Sequence, residues 1–85
     1  MKEFSYVVTD EMGIHARPAG QLVKKAMGYK SKVTITGVKG SADLKRLMAL
    51  MKLTVKKGEN VKVQVEGEDE EKAASEIEEF FKENL

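Results

Sequence analysis

The feature that most restricts what this chain can fold into is the strict alternation of Val61, Val63 and Val65 with Lys62, Gln64 and Glu66. Successive side chains of a strand point to opposite faces, so this segment reads as a strand over residues 61–65 with one apolar and one polar side. Residues 3–8 (EFSYVV) alternate Phe4, Tyr6 and Val8, and residues 32–37 alternate Val33 and Ile35 with threonines. These are two more strands, and the segment from Gly37 to Gly40 turns the second back into a short additional one. Ala19, Leu22, Val23 and Ala26 recur at i, i+3, i+4 and i+7, which predicts a helix over residues 16–27. Pro18 falls in its first turn, where a missing N–H costs nothing, and Gly28 stops it. Leu44 to Leu53 is apolar at helical spacing, and a last helix over 70–83 carries Ala73, Ile77, Phe80 and Phe81 on one stripe. The first and last helices are one-sided, and an antiparallel sheet with its helices on one face buries them together. The expectation is an α+β fold, a β-α-β-β-α-β-α open-faced sandwich with a four-stranded antiparallel sheet and three helices packed on one face. At 85 residues the chain is expected to be a single domain over 1–85, because so small a core cannot be split into two that fold alone.

A domain of this size buries only about 60% of its unfolded surface, which leaves little volume for an enclosed pocket and places any chemistry on the outside. The sequence has no cysteine, so disulfide frameworks and thiolate metal sites are excluded, in keeping with a reducing compartment. No apolar run approaches the roughly 20 residues needed to cross a bilayer. The start MKEFSYVVTD lacks the apolar stretch and cleavage site of a signal peptide. The chain is therefore expected to be cytoplasmic, with no membrane insertion. Its charge is uneven: residues 66–85 hold nine acidic and two basic side chains, a net −7, whereas residues 1–65 hold thirteen basic and five acidic, a net +8. The acidic end reads as a solvated helix face, and the basic remainder suits an acidic partner or a phosphoryl group. Nucleic acid is a poor fit, since three phenylalanines and two tyrosines, mostly at core-like positions, offer little for base stacking.

The one histidine, His15, stands immediately before the first helix in GIHARPAG. Its ring there lies beside backbone N–H groups that no intrahelical carbonyl satisfies, an anion-binding position. The positive end of the helix and Arg17 would both stabilise a phosphoryl group on the ring. From spacing alone a second reading stands open, in which His15 is an ordinary capping or loop residue and Arg17 an ordinary surface cation. No second acid or base is evident beside it, which argues against an independent enzyme. In the second helical segment, at about 100° per residue, Leu47, Met51 and Met48 fall near 0°, 40° and 100°, while Leu50 and Leu53 fall near 300° and 240°. One sheet cannot bury both sets. With Leu50 and Leu53 inward, Leu47, Met48 and Met51 form an exposed apolar patch, and methionine suits a surface that adapts to several partners; a helix covered on both sides is the alternative.

The run GIHARPAG resembles the active-site signature of the HPr family, the histidine phosphocarriers of the bacterial phosphoenolpyruvate-dependent sugar phosphotransferase system. DLKRLMALMKL resembles the family's second helical segment and GEDEEKAASEI its approach to the final helix, so the similarity covers essentially the whole chain. The resemblance implies a phosphocarrier, not an enzyme, that accepts phosphate on Nδ1 of His15 from enzyme I and passes it to sugar-specific IIA domains or proteins. It further implies that Arg17 pairs with the phosphoryl group, that Ala16 and Arg17 offer backbone N–H groups, and that Pro18 fixes the helix start. No metal or cofactor is implied, and the carrier is expected to be a monomer. The surface of Leu47, Met48 and Met51 would dock enzyme I and the IIA partners, with Lys24, Lys25 and Lys45 as a charged rim. One departure stands out. Where low-GC Gram-positive relatives carry a regulatory serine, this chain has Arg46, which has no hydroxyl to phosphorylate and is expected to contact acidic partner residues instead. A regulatory HPr-like protein uncoupled from sugar transport is the alternative function.

Overall fold

The computed structural model describes residues 1–85, in the order β1 (Lys2–Val7), α1 (Ala16–Ala26), β2 (Lys32–Gly37), β3 (Gly40–Asp43), α2 (Leu47–Lys52), β4 (Asn60–Glu66) and α3 (Glu70–Asn84). All pairings are antiparallel and the strand order is β1-β4-β2-β3, which puts the alternating valines of β4 in the interior of the sheet. Register follows from the period of two. Phe4 stands opposite Val63, Val63 opposite Ile35 and Ile35 opposite Ala42, an apolar row across all four strands. The neighbouring row, Glu3, Gln64, Thr34 and Asp43, is polar throughout. A slip of one residue would exchange these rows between core and solvent, so the pattern locks the pairing. This is the open-faced sandwich expected from the sequence.

The apolar face lies under the helices. Val33, Ile35, Val61, Val63 and Val65 are fully buried, together with Ala19, Leu22 and Ala26 of α1 and Ala73, Ile77 and Phe81 of α3. Phe81 meets Phe4 and Tyr6 edge-on, each at 5.6 Å between ring centroids, an arrangement that the ring quadrupoles favour. Helix α1 packs on both α2 and α3. The turn from α1 to β2 is pinned to the start of α3 by Asp69, whose carboxylate accepts the N–H groups of Lys30 and Ser31, each at 2.9 Å, and the Ser31 hydroxyl. The Ser31 hydroxyl foremost, then the Lys30 amide, holds the Asp69 carboxyl down at about 2. Next to it the Tyr29 hydroxyl donates to Glu76, and burial, then this bond, pushes the phenol well above its usual range.

Two sequence expectations need correction. The second helix occupies Leu47–Lys52, not Leu44 to Leu53. Leu44 is fully buried but lies in the turn that follows β3, its N–H donating to Val33 O at 2.9 Å. Asp43 then forms a turn by accepting the Lys45 N–H on its carboxylate (2.9 Å) and the Arg46 N–H on its carbonyl (3.0 Å). Arg46 is consequently the extended N-cap, outside the first turn, with its carbonyl accepting the Leu50 N–H at 3.0 Å. Second, Phe80 is only half-buried at the edge of α3, while Phe81, four residues beyond Ile77, takes the core position.

Candidate functional site

The site is assembled on the loop between β1 and α1. Thr9 and Asp10 donate their backbone N–H groups to Leu85 O, the Asp10 bond at 2.8 Å, and the Thr9 hydroxyl adds a third at 3.0 Å. Asp10 then closes a tight turn: its Oδ1 accepts the Met12 N–H at 2.8 Å and its carbonyl accepts the Gly13 N–H at 2.9 Å. Gly13 adopts φ 68°, and a Cβ there would lie 2.1 Å from Val55 O. Glycine is what permits this close approach, which lets the Ile14 N–H reach Val55 O at 3.0 Å and buries the Ile14 side chain. His15 thus emerges between two fixed points, the anchored Ile14 and the start of α1.

His15 is the N-cap of α1, with extended backbone (φ −100°, ψ 179°) and its carbonyl accepting the Ala19 N–H at 2.9 Å. Its side chain makes no capping hydrogen bond, so the ring is not consumed in closing the helix. The imidazole is 31% exposed. The backbone N–H groups of Ala16 and Arg17 have no protein acceptor, Pro18 carries none, and no acidic residue stands in the first turn. Two donors without a protein acceptor and the positive end of an eleven-residue helix therefore directly follow the residue that carries the imidazole. Arg17 is exposed and enters no ion pair within the chain, so its guanidinium is available to an anion.

Asp10 supplies the acid that sequence reading missed: its Oδ1 lies 3.8 Å from His15 Nε2. The signal available was an aspartate three residues before a glycine, the pattern of a β-turn, but nothing local told which way the carboxylate would face. The surface depressions all lie elsewhere, along α3 and its N-terminal approach. His15 thus stands on an open surface that suits a macromolecular partner better than an enclosed small molecule.

The expected partner surface is altered in detail. Leu50 and Leu53 are buried, while Leu47 is 41% and Met48 71% exposed. Met51 is half-buried and packs against the core, so the exposed apolar patch of α2 is mainly Leu47 and Met48. Helical angle alone does not account for this, since Met51 falls between Leu47 and Met48; α2 packs against α1 as well as against β3. Lys24 is free on the last turn of α1, with Lys25 half-buried beside it. Lys45 is drawn inward, its Nζ donating to Tyr29 O at 2.8 Å, which removes it from a mobile charged rim. Arg46 is exposed. Met12, 70% exposed in the histidine loop, adds an apolar side chain that the sequence did not single out. No helix is long and apolar enough to cross a membrane.

Comparison with known proteins agrees with this geometry. Residues 2–83 match the family model described as the PTS HPr component phosphorylation site. The chain is 36% identical over 77 residues to the phosphocarrier protein HPr of Mycoplasma capricolum, covering 91% of this chain and 86% of that protein. It is 42% identical over 73 residues to the phosphocarrier protein HPr of Lysinibacillus sphaericus, covering 86% and 83%. Among solved structures, a histidine-containing phosphocarrier protein studied for the divergence of Mycoplasma from Gram-positive bacteria superposes with a TM-score of 0.91 at 34% identity, covering 93% of this chain and 90% of that one.

Proposed function

The chain belongs to the HPr family of phosphocarriers, and from that membership we propose that residues 1–85 act as one monomeric domain that accepts a phosphoryl group from enzyme I on His15 Nδ1 and passes it to sugar-specific IIA proteins in the cytoplasm. The observation that carries the reading is the uncapped helix start: an imidazole free of side-chain hydrogen bonds next to the unsatisfied N–H groups of Ala16 and Arg17. A phosphoryl group on the ring brings oxygens that need donors, and these two amides together with the Arg17 guanidinium supply them. Pro18 contributes by fixing the backbone at the first turn, so that the amides are held in place before the phosphoryl group arrives. Leu47 and Met48 provide an apolar contact, and Lys24 and Arg46 positive charge, for the partners.

The test is incubation with phosphoenolpyruvate and a bacterial enzyme I, followed by intact mass at neutral and at acid pH. One phosphate that survives neutral buffer and is lost in acid is expected, and His15→Ala should abolish it. A His15→Ala protein that still gains the phosphate refutes the assignment. Arg17→Glu should slow charging without unfolding the domain, because it replaces a favourable charge with a repulsive one.

A further inference from the structure

A neutral imidazole carries one proton on two nitrogens, and only the unprotonated nitrogen can act as a nucleophile. What decides between them is the charge each nitrogen faces. Here Oδ1 of Asp10 lies 3.8 Å from Nε2, and His15 is the only ion-pair partner Asp10 has in the chain. The aspartate is held on three sides: its N–H donates to Leu85 O, its carbonyl accepts from Gly13 and its Oδ1 accepts from Met12. It is therefore a fixed negative charge and not a freely rotating surface carboxylate. A lone pair on Nε2 would be repelled by it, and an N–H there is attracted.

We infer that Asp10 is a positioning residue for phosphoryl transfer, keeping the ring proton on Nε2 of His15 so that the lone pair resides on Nδ1. The inference rests on the phosphocarrier reading for its purpose, though not for its geometry. In the loading step the Nδ1 lone pair forms the bond to phosphorus as the donor's bond to phosphorus breaks, its electron pair leaving with the donor. Nε2 keeps its proton, so the ring acquires positive charge directly opposite the Asp10 carboxylate. In the unloading step the Nδ1–phosphorus pair returns to Nδ1 as the acceptor bonds to phosphorus. Asp10 takes no proton in either direction; it selects the tautomer and offsets the charge on the ring.

The experiment is nitrogen-15 NMR of the His15 ring in the full chain at pH 9, above the ordinary imidazole range, in wild type, Asp10→Asn and Asp10→Ala. Asparagine loses the charge but keeps an oxygen for the Met12 N–H, and the Met12 amide resonance reports whether the turn survives. The expected result is a predominantly Nε2–H ring in wild type, with the ratio of Nε2–H to Nδ1–H falling about threefold or more in both variants, from the loss of a charge interaction near 4 Å in a half-exposed setting. Transfer from phosphorylated enzyme I should slow several-fold in Asp10→Asn. A ratio unchanged in Asp10→Asn, or changed only in Asp10→Ala where the turn is also lost, overturns the inference. Failure of the wild-type protein to accept phosphate would instead refute the carrier reading, and the tautomer ratio would still decide the role of Asp10.

Discussion

Replacing Gly13 by alanine tests how the histidine loop is held. An added Cβ would sit 2.1 Å from Val55 O and 2.8 Å from Lys56 Cα, whereas carbon atoms normally rest about 3.5 Å or more from such neighbours. The loop must retreat by about 1 Å or more, and the Ile14 N–H then loses Val55 O, now 3.0 Å away. Two costs follow. Alanine at φ 68° adds about 1–2 kcal/mol of left-handed strain, and a buried amide left without its acceptor adds about 1–3 kcal/mol. The sum, about 2–5 kcal/mol, is a large share of the roughly 4–13 kcal/mol expected for a domain of this length. Gly58→Ala is the control, because Gly58 also has positive φ (87°) yet a Cβ there would meet nothing within 4 Å. It should cost only the strain, about 1–2 kcal/mol. Urea unfolding of both variants, with midpoint and slope fitted separately, gives the comparison. Thermal melts should show Gly13→Ala losing about 8–40 °C, at about 4–8 °C per kcal/mol. Equal destabilisation of the two variants would refute the claim that close backbone contact at Val55, and not torsional strain alone, anchors the loop.

Thr54, the residue after the C-cap of α2, has φ 47°, a left-handed conformation that a β-branched residue adopts only under strain; Thr54→Gly should raise stability by about 1 kcal/mol in urea titration, and a loss would contradict the strain. Asp69 has a folded value of about 2 against its ordinary 3.8, so the unfolded chain takes up the proton more readily and the stabilisation is complete above about pH 4 and lost as pH falls towards 2. The stability gap between wild type and Asp69→Asn should therefore narrow across that window, and a gap independent of pH would show that the carboxylate charge is irrelevant. Met48→Ala should weaken enzyme I binding by about 1–2 kcal/mol with little change in melting temperature, whereas Met51→Ala should lower the melting temperature as well. Calorimetry and melts on both variants separate the two, and a stability loss confined to Met48→Ala would reverse their assignment.

The strands were legible because period-two alternation is a property of the chain itself, visible at Val61, Val63 and Val65 without knowledge of their neighbours. The helix start at His15 was legible for a similar reason, since Pro18 and the spacing of Ala19, Leu22 and Val23 mark it locally. The start of α2 was not. Leu44 continues an apolar helical pattern, but its amide is claimed by Val33 O from the adjacent strand, and a period of 3.6 carries no information about that competitor. Asp10 shows the same limit at the site. That it makes a turn could be read from Gly13 three residues on, but that its carboxylate faces the ring depends on Leu85 gripping the loop from the far end of the sequence. Met51 was misjudged because angular position along the chain does not reveal that α2 packs against α1 as well as against β3.

The grip of Leu85 on Thr9 and Asp10 also bears on when the protein becomes competent. The Thr9 hydroxyl and its acceptor are 76 positions apart, so this closure joins nearly the whole length of the chain. Such distant pairings come late in folding, since their entropy must be offset by structure already formed. Until α3 docks, Asp10 is untethered on its N–H side and the turn before His15 lacks one of its supports. On the proposed carrier reading, a chain that has formed its hairpin of β2 and β3 and its first helix should still be a poor phosphoryl acceptor. In refolding experiments, charging by enzyme I should lag behind the recovery of helical circular dichroism and coincide with protection of the Asp10 amide. Half-folded carriers would then be kept from charging by the carrier's own topology.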